Sequence, residues 1–190
     1  MAAEVWVLSP NKRSFQLLAS HANNKAAAIY YQENKNLDIL DPENGLLYEV
    51  LKKKSMVTWD KLDERDSLIR KDGVRKAGFK AALSLPLLFN GEVTGALTIL
   101  SGKDVHELAV FSWLLDETAE EIGAELKRKQ LEDELNLIFT VSPDILAIAS
   151  QDGFFKKISP AAVELLGYAE EELLKAPFIS FVHRDDVLQV

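Results

Sequence analysis

The segment "KAALSLPLLFNGEVTGALTILSG" (residues 80–102) decides the fold class of this chain. Two runs of branched and apolar residues flank Asn90-Gly91, a dipeptide that strongly favours the two-residue turn of a β-hairpin. Pro86 lies inside the first run and predicts a sheet edge or a bulge there, because proline donates no backbone hydrogen bond. The segment therefore predicts a pair of long antiparallel strands.

The flanking sequence adds strands and helices to this hairpin. "AEVWVLS" and "SFQLLAS" are strand-like and are separated by the turn residues "PNKR", and "MVTWD" predicts a short further strand. Helices are predicted for "NKAAAIYYQEN", for "GLLYEVLKKK", and for "RDSLIRKDGVRKAGF", where Leu68, Ile69 and Val74 have helical spacing. The order predicts an α+β fold, with an antiparallel sheet and helices inserted between its strands.

A long helix is predicted for residues 104–141, which contain no proline and only one glycine, Gly123. One continuous helix of this length would exceed about 50 Å. Its apolar residues form two heptad-like sets in different phases: Leu108, Leu115, Ala119, Ile122 and Leu126, then Leu131, Leu135 and Ile138. This spacing predicts a parallel homodimer joined through residues 108–138. Alternatively, the first part packs on the sheet and the rest is a solvated linker.

Residues 142–190 begin a second unit. "DILAIAS" and "FFKKIS" predict two strands joined at Asp152-Gly153. Ser159 can cap a helix that has Pro160 in its first turn, and Gly167 can end that helix in the left-handed conformation.

Composition and charge exclude several functions. The chain has 190 residues, a net charge of -8 and no cysteine. An acidic surface disfavours nonspecific binding to nucleic acid or anionic membranes. The absence of cysteine excludes disulfides, thiolate nucleophiles, cysteine-ligated zinc and any cysteine-linked cofactor. No apolar run is long enough to span a membrane, and the N-terminus lacks the features of a secretory signal, so we expect a cytoplasmic protein.

Motifs of catalysis and metal binding are absent from the sequence. There is no P-loop, dinucleotide-binding glycine motif, HExxH or nucleophile elbow, and we therefore predict a non-enzyme. His21, His106 and His183 share no ligand-like spacing, and we predict no metal site. An acidic cluster could hold a hard cation or form a solvated loop: Asp60, Asp63, Glu64 and Asp66. A basic group could attract an anion to a pocket beside the sheet or form an outer helix face: Arg70, Lys71, Arg75, Lys76 and Lys80.

The motifs of residues 142–186 together resemble the first half of a PAS domain. They are Asp152-Gly153, Ser159-Pro160-Ala161-Ala162, Leu165-Leu166-Gly167-Tyr168, Glu170 to Leu173, and His183 to Asp186. Two positions depart from the family, since Ser159 stands where asparagine is frequent and Arg184 where proline is common. A PAS domain usually continues with a further helix and three long strands. The resemblance thus implies that residues 142–190 are a partial PAS-like domain within a fragment of a larger protein.

Residues 3–126 resemble a GAF domain. The resemblance rests on the opening hairpin, on "GLLYEVLKKKSMVTWD", and above all on "AALSLPLLFNGEVTGALTIL" followed by a long helix. It implies three parts: a GAF-like sensory domain (1–126), a helical linker that continues its last helix (127–141) and the partial PAS-like domain (142–190). This order is similar to the input half of sensor histidine kinases and diguanylate cyclases, whose output kinase or cyclase domain would lie outside this chain.

The resemblance also implies what the first domain does. GAF domains that hold linear tetrapyrroles covalently use a cysteine, as do those that reduce methionine sulfoxide, and this chain has none. A small-molecule pocket is expected between the sheet and the inserted helices, near Tyr48, Trp59, Phe79 and Leu85, although these residues could instead form the core. The cofactor stays unknown. The implied function is a sensory and dimerisation segment in signal transduction that passes a ligand or partner signal through the long helix. The alternative is a ligand-free scaffold that aligns signalling helices.

Overall fold

The computed structural model describes residues 1–34, 39–40, 45–65, 68–110 and 112–187, without the side chains of residues 109, 112–114, 116 and 117. The chain forms two compact units, residues 1–128 and 129–190, and each is described by itself.

The first unit is built around a six-stranded sheet. Its elements are β1 (Ala2–Leu8), β2 (Phe15–Ala22), α1 (Lys25–Glu33), β3 (Ile39–Leu40), α2 (Leu46–Lys53), β4 (Val57–Trp59), α3 (Lys71–Ala77), β5 (Ala81–Phe89), β6 (Glu92–Ser101), α4 (Val105–Ala109) and the start of α5 (Ser112–Val141), with a 3₁₀ turn at Leu62–Glu64. The strand order is β3-β2-β1-β6-β5-β4, and each neighbouring pair is antiparallel. The predicted α+β class is confirmed.

The hairpin of β5 and β6 has the predicted turn and the predicted irregularity. Asn90 and Gly91 both have positive φ angles, 51° and 75°, as a type I′ turn requires. Pairing with β4 extends along β5 only to Ser84, so Pro86 lies where the described sheet has β6 alone as a neighbour. A bulge follows between Leu87 and Leu88. The local prediction at Pro86 is therefore confirmed.

Apolar side chains cover both faces of this sheet. On one face, residues of β1, β2 and β6 pack against α1, α2 and α3, with Trp6, Phe15 and Val50 at the centre of the cluster. On the other face, Leu83, Leu85 and Leu87 of β5 pack against α4 and α5. Helices on both faces of the sheet explain why β5 is almost continuously apolar, because neither face of this strand is exposed to water.

The predicted long helix is confirmed as α5, but it does not extend back to residue 104. Helix α4 ends at Ala109 and α5 begins at Ser112, so α5 has 30 residues and a length of about 45 Å. Leu108 of α4 and Leu115 of α5 both join the cluster on the sheet.

The predicted helical spacing of Leu68, Ile69 and Val74 is also wrong in part. Helix α3 begins only at Lys71, and Leu68 and Ile69 precede it. Its end is as predicted, because Gly78 takes the left-handed conformation that ends the helix.

The second unit contains the C-terminal part of α5 and a small α+β arrangement. Its other elements are β7 (Ala147–Ala149), β8 (Phe155–Ile158), α6 (Pro160–Leu166), α7 (Glu170–Lys175) and a 3₁₀ turn at Phe178–Phe181. Strands β7 and β8 form an antiparallel pair. Ser159 caps α6 through its side chain and Gly167 ends it at a φ of 75°, both as predicted. None of the helices in the described ranges is long and apolar enough to cross a membrane.

Candidate ligand cavity

A cavity lies in the first unit, on the sheet face that packs against α1, α2 and α3. Its volume is about 70 Å³. Its floor is formed by strands β1, β5 and β6, through Trp6, Ala82 and Leu100. Its remaining apolar walls are aliphatic side chains: Leu40, Leu46, Leu47, Leu62, Leu68 and Ile69. The lining suits a small, mainly apolar ligand group.

Two buried charged residues, Glu4 and Arg70, line this cavity. Glu4 and Arg70 have side chains that are only 4% and 5% exposed, and Arg70 Nη1 lies 2.6 Å from Glu4 Oε1. The other carboxylate oxygen, Oε2, accepts a hydrogen bond of 3.0 Å from Trp6 Nε1. Burial of a charge is costly unless it is paired and hydrogen-bonded, and Glu4 and Arg70 satisfy this condition together.

The backbone of each element explains how these side chains meet. Buried and half-buried residues alternate along β1, so Glu4 lies on the same inner face as Trp6. Arg70 immediately precedes α3, and its Nη1 also donates to Tyr30 Oη on α1 at 3.1 Å. The guanidinium carbon lies 4.7 Å from the centre of the Trp6 ring and 5.6 Å from that of Tyr30. Both rings thus add cation–π contacts to the ion pair.

The protonation of these groups follows from burial and from their mutual charges. Burial raises the pKa of the Glu4 carboxyl, while the charge of Arg70 and the hydrogen bond from Trp6 oppose this rise. Burial lowers the pKa of Arg70, but Tyr30 and Glu4 outweigh this effect and the pKa is raised. Burial, together with the charge of Glu4, also raises the pKa of Tyr30. Arg70 and Tyr30 therefore stay protonated at neutral pH, as a cation and a neutral hydroxyl.

The four residues predicted from the sequence do not line this cavity. Trp59 and Phe79 are each 3% exposed and belong to the apolar cluster around it. Leu85 is fully buried in the cluster on the opposite face of the sheet. Tyr48 is 36% exposed. The alternative that these residues form the core is confirmed for Trp59, Phe79 and Leu85 and is wrong for Tyr48. The role of the four residues in ligand binding stays a prediction.

Of the predicted basic group, Arg70 lines the cavity and Lys71 is half-buried, whereas Arg75, Lys76 and Lys80 are exposed. Arg75 donates to the Asp63 carbonyl oxygen at 3.1 Å, and the exposed Lys76 pairs with Glu33 at 2.7 Å. The outer-face alternative therefore holds for Arg75 and Lys76.

The predicted acidic cluster and the histidines lie at the surface. The side chains of Asp60, Asp63 and Glu64 are exposed, while Asp66 lies outside the described residues. All three histidines are exposed as well. Within the part of the chain that the structure describes, no group of three or more acidic or histidine side chains could hold a metal ion.

Sequence reasoning missed Glu4, although a signal for it exists. In "AEVWVLS" the glutamate has the same strand parity as Trp6 and Leu8, so a charge stands at a position of the buried face. Such a charge requires a cationic partner from another element, and the sequence offers many candidates without identifying Arg70.

Solved structures resemble this chain, but the chain matches no protein-family model and no curated protein. A GAF domain of a phosphoenolpyruvate-protein phosphotransferase from Coxiella burnetii has a TM-score of 0.53 and 15% identity, covering 70% of this chain and 75% of that chain. The corresponding domain from Acinetobacter has a TM-score of 0.51 and 15% identity, covering 70% and 74%. A type II free methionine-R-sulfoxide reductase from Thermoplasma acidophilum has a TM-score of 0.51 and 16% identity, covering 67% and 78%. The six-stranded sheet and its flanking helices thus form a GAF-like fold.

Proposed function

We propose that residues 1–126 are the ligand-sensing domain of a cytoplasmic signal-transduction protein. The observation that carries this proposal is the cavity, whose lining combines aliphatic side chains with a hydrogen-bonded ion pair. Small-molecule sites have this composition, with a few placed polar groups in an apolar enclosure. Two of the similar structures are GAF domains of phosphoenolpyruvate-protein phosphotransferases. The same fold therefore occurs as one part of a larger protein.

A binding role is favoured over catalysis in this chain. One similar structure is a methionine-R-sulfoxide reductase, but this chain has no cysteine to act as a thiol reductant. In the cavity, Glu4 and Arg70 are bound to each other, and no described group there is arranged as a nucleophile with a base. Any output kinase or cyclase activity would belong to a domain outside these residues.

We further propose that α5 carries the signal and joins two copies of the chain, with residues 127–141 as linker and 142–190 as a partial PAS-like domain. The first apolar set packs on the sheet through Leu115, Ile122 and Leu126. This contact supports the alternative that the first part of the helix covers the sheet. Leu131, Leu135 and Ile138 of the second set are 48%, 40% and 56% exposed. A dimer would bury these residues in a helix pair and is thus expected to use the second set.

The competing function is a ligand-free scaffold, and one observation favours it. The ion pair already satisfies the strongest polar groups of the cavity without a ligand. In that case the cavity would be a packing defect, and the modules would only align helices.

A ligand screen with two matched variants separates these functions. Leu46 and Leu51 are both half-buried residues of α2, but only Leu46 lines the cavity. We expect a metabolite that raises the melting temperature of the wild type and of Leu51→Trp but not of Leu46→Trp, because tryptophan fills the cavity. A hit that stabilises all three proteins equally binds elsewhere. A screen without any hit favours the scaffold.

The dimer is tested by light scattering on the wild type and on a variant with Leu131 and Leu135 both changed to lysine. We expect a dimer for the wild type at micromolar concentration and a monomer for the variant. A wild-type mass of about 21 kDa, that of one chain, would contradict the dimer.

A further inference from the structure

We propose that a groove in the second unit binds a small organic cation, an amine with an apolar body. The groove has a volume of about 450 Å³ and is lined by the C-terminal part of α5 and by residues of β8, α6 and α7. All of its lining residues belong to residues 129–190, so the site lies within one unit. The proposal does not rest on the ligand-sensing function of the first unit.

Apolar side chains of three elements form one part of the lining. They are Phe139 of α5, Ile158 of β8, and Pro160 and Val163 of α6. Phe139 and Ile158 are only 6% and 7% exposed, so their packing within the unit makes this surface preformed. A ligand with an apolar body would cover the exposed Pro160 and the half-buried Val163 and remove their surface from water.

Two carboxylates line the same groove, those of Glu164 and Glu170. Both residues are exposed, and within the described ranges neither side chain forms a hydrogen bond or an ion pair. The next two glutamates of α7 differ in this respect. Glu171 pairs with Lys175 at 3.2 Å, and the carboxylate of Glu172 accepts a hydrogen bond of 3.0 Å from the Ala169 N–H. The two carboxylates at the groove can therefore accept hydrogen bonds from a cationic ligand.

The lysine of the groove is held by α5. The ammonium group of Lys157 donates to Asn136 Oδ1 and lies 4.9 Å from the centre of the Phe139 ring. These two contacts join β8 to α5 and leave the carboxylates of Glu164 and Glu170 unpaired. An anion would have to compete with Asn136 for Lys157 and would be repelled by both carboxylates, whereas a cation would be attracted by them.

A bound amine would contact several elements of the second unit at once. Its ammonium group would donate to Glu164 on α6 or Glu170 on α7, and its body would lie against Phe139 of α5 and Ile158 of β8. A ligand stabilises the state to which it binds. The amine would therefore stabilise the packing of the C-terminal part of α5 against β8, α6 and α7.

The test uses three probes with one carbon skeleton: 4-phenylbutylamine, 4-phenylbutan-1-ol and 4-phenylbutyrate. Each is titrated into the full chain at about pH 7.5, where the amine is a cation and the acid an anion. The readout is the NMR shift of the Ile158 and Val163 methyl groups, with Ile148, outside the groove, as internal control. We expect the amine to bind about threefold to fivefold more tightly than the alcohol, the gain of a partly exposed ion pair. The acid should bind more weakly than the alcohol.

Two matched variants locate the charge that the amine recognises. Glu170→Gln and Glu171→Gln each remove one charge from the first turn of α7, but only Glu170 lines the groove. In Glu170→Gln, the affinity for the amine should fall about threefold while that for the alcohol stays the same. In Glu171→Gln, both affinities should stay at the wild-type values, since salt at about 0.15 M screens charges outside the groove.

Several results would overturn the inference. They are binding of the alcohol or the acid as tightly as the amine, an equal loss of amine affinity in both variants, and titrations that do not shift Ile158 and Val163. None of these results bears on the cavity of the first unit, which is tested by the Leu46 and Leu51 variants. Failure of this inference and failure of the proposed function are therefore distinguishable.

Discussion

Strands β5 and β7 are both apolar segments with helices nearby in the sequence, yet their environments are opposite. Every residue from Ala81 to Leu87 is buried, whereas Ala147, Ile148 and Ala149 are all exposed. The first strand lies inside a six-stranded sheet with helices on both faces, and the second belongs to a two-stranded sheet. Burial of an apolar strand therefore depends on how many elements surround it, which composition alone does not reveal.

The same contrast holds for whole units. Residues 1–128 contain two extensive apolar clusters, while the cluster of residues 129–190 is centred on Ile158, Ala162 and Leu173. A two-stranded sheet is marginal alone, because it buries too little surface to offset the lost conformational entropy. We infer that the second unit gains stability from contacts with another copy, and that the first unit does not need them.

The largest expected effect is the loss of stability in Leu85→Ala of the first unit, compared with Leu165→Ala of the second unit. Leu85→Ala removes a fully buried side chain and should lower the free energy of unfolding by about 2–5 kcal/mol. Leu165 is 68% exposed, so Leu165→Ala should change it by less than about 0.5 kcal/mol. Urea unfolding followed by circular dichroism measures both. Equal effects would mean that the two environments do not differ as described.

A smaller effect is expected where α5 meets the sheet. A Cβ atom on Gly123 would lie 2.3 Å from the carbonyl oxygen of Leu88, far inside contact distance. Gly123→Ala should thus destabilise the first unit by about 1–3 kcal/mol through overpacking, although alanine is the better helix former.

The matched control for this substitution is Ala124→Gly at the neighbouring, exposed position. It should cost about 1 kcal/mol through helix propensity alone. Thermal unfolding of both variants distinguishes the two causes. A Gly123→Ala variant more stable than the wild type would show that α5 does not approach β5 this closely.

In the second unit, Ser159→Ala tests the best-defined polar contact. Its hydroxyl accepts hydrogen bonds from the backbone N–H groups of Leu146 (3.0 Å) and Ala162 (3.3 Å) and is fully buried. Its loss should cost about 1–2 kcal/mol, and the exposed Ser180→Ala less than about 0.5 kcal/mol. Limited proteolysis should cut residues 142–187 faster in Ser159→Ala than in the wild type, and at the wild-type rate in Ser180→Ala. Equal cleavage rates would exclude a stabilising cap.

The smallest effect is the pH dependence from Glu92 on the surface of the first unit. Hydrogen bonds from Lys12 and Lys54 lower the pKa of Glu92 from 4.5 to about 2. Because the folded pKa lies below the unfolded one, ionised Glu92 stabilises the fold above about pH 4.5, and this contribution is lost as the pH falls to about 2. The difference in melting temperature between the wild type and Glu92→Gln should therefore vanish over this range. It should also shrink in high salt, since the pair is exposed. A difference that persists at about pH 2 would contradict this assignment.

Local signals predicted most of the fold correctly. The Asn90-Gly91 turn, the cap at Ser159 and the helix end at Gly167 depend on neighbouring residues only, and all three were predictable. The separate helix α4 was not predicted, because the sequence between Asp104 and Val141 contains no proline and only one glycine, Gly123. The role of Gly123 was not predicted either, because its close contact with Leu88 joins residues that are distant in sequence.

The candidate site was less predictable than the fold. The expected position between the sheet and the inserted helices agrees with the cavity, but aromatic residues were favoured as its lining. The lining of the cavity is largely aliphatic, and its ion pair joins Glu4 to Arg70 across 66 positions of sequence. A contact over such a separation depends on the tertiary fold and cannot be derived from spacing.

Hydrogen exchange in dilute and concentrated samples tests the central claim most directly. We expect slow exchange of the β5 and β6 amides at every concentration, since these strands are enclosed within their own unit. The β7 and β8 amides should exchange rapidly in a dilute sample and become protected as the concentration rises. Strong protection of β7 and β8 in a dilute monomeric sample would contradict the account, because the second unit would then be stable without a partner.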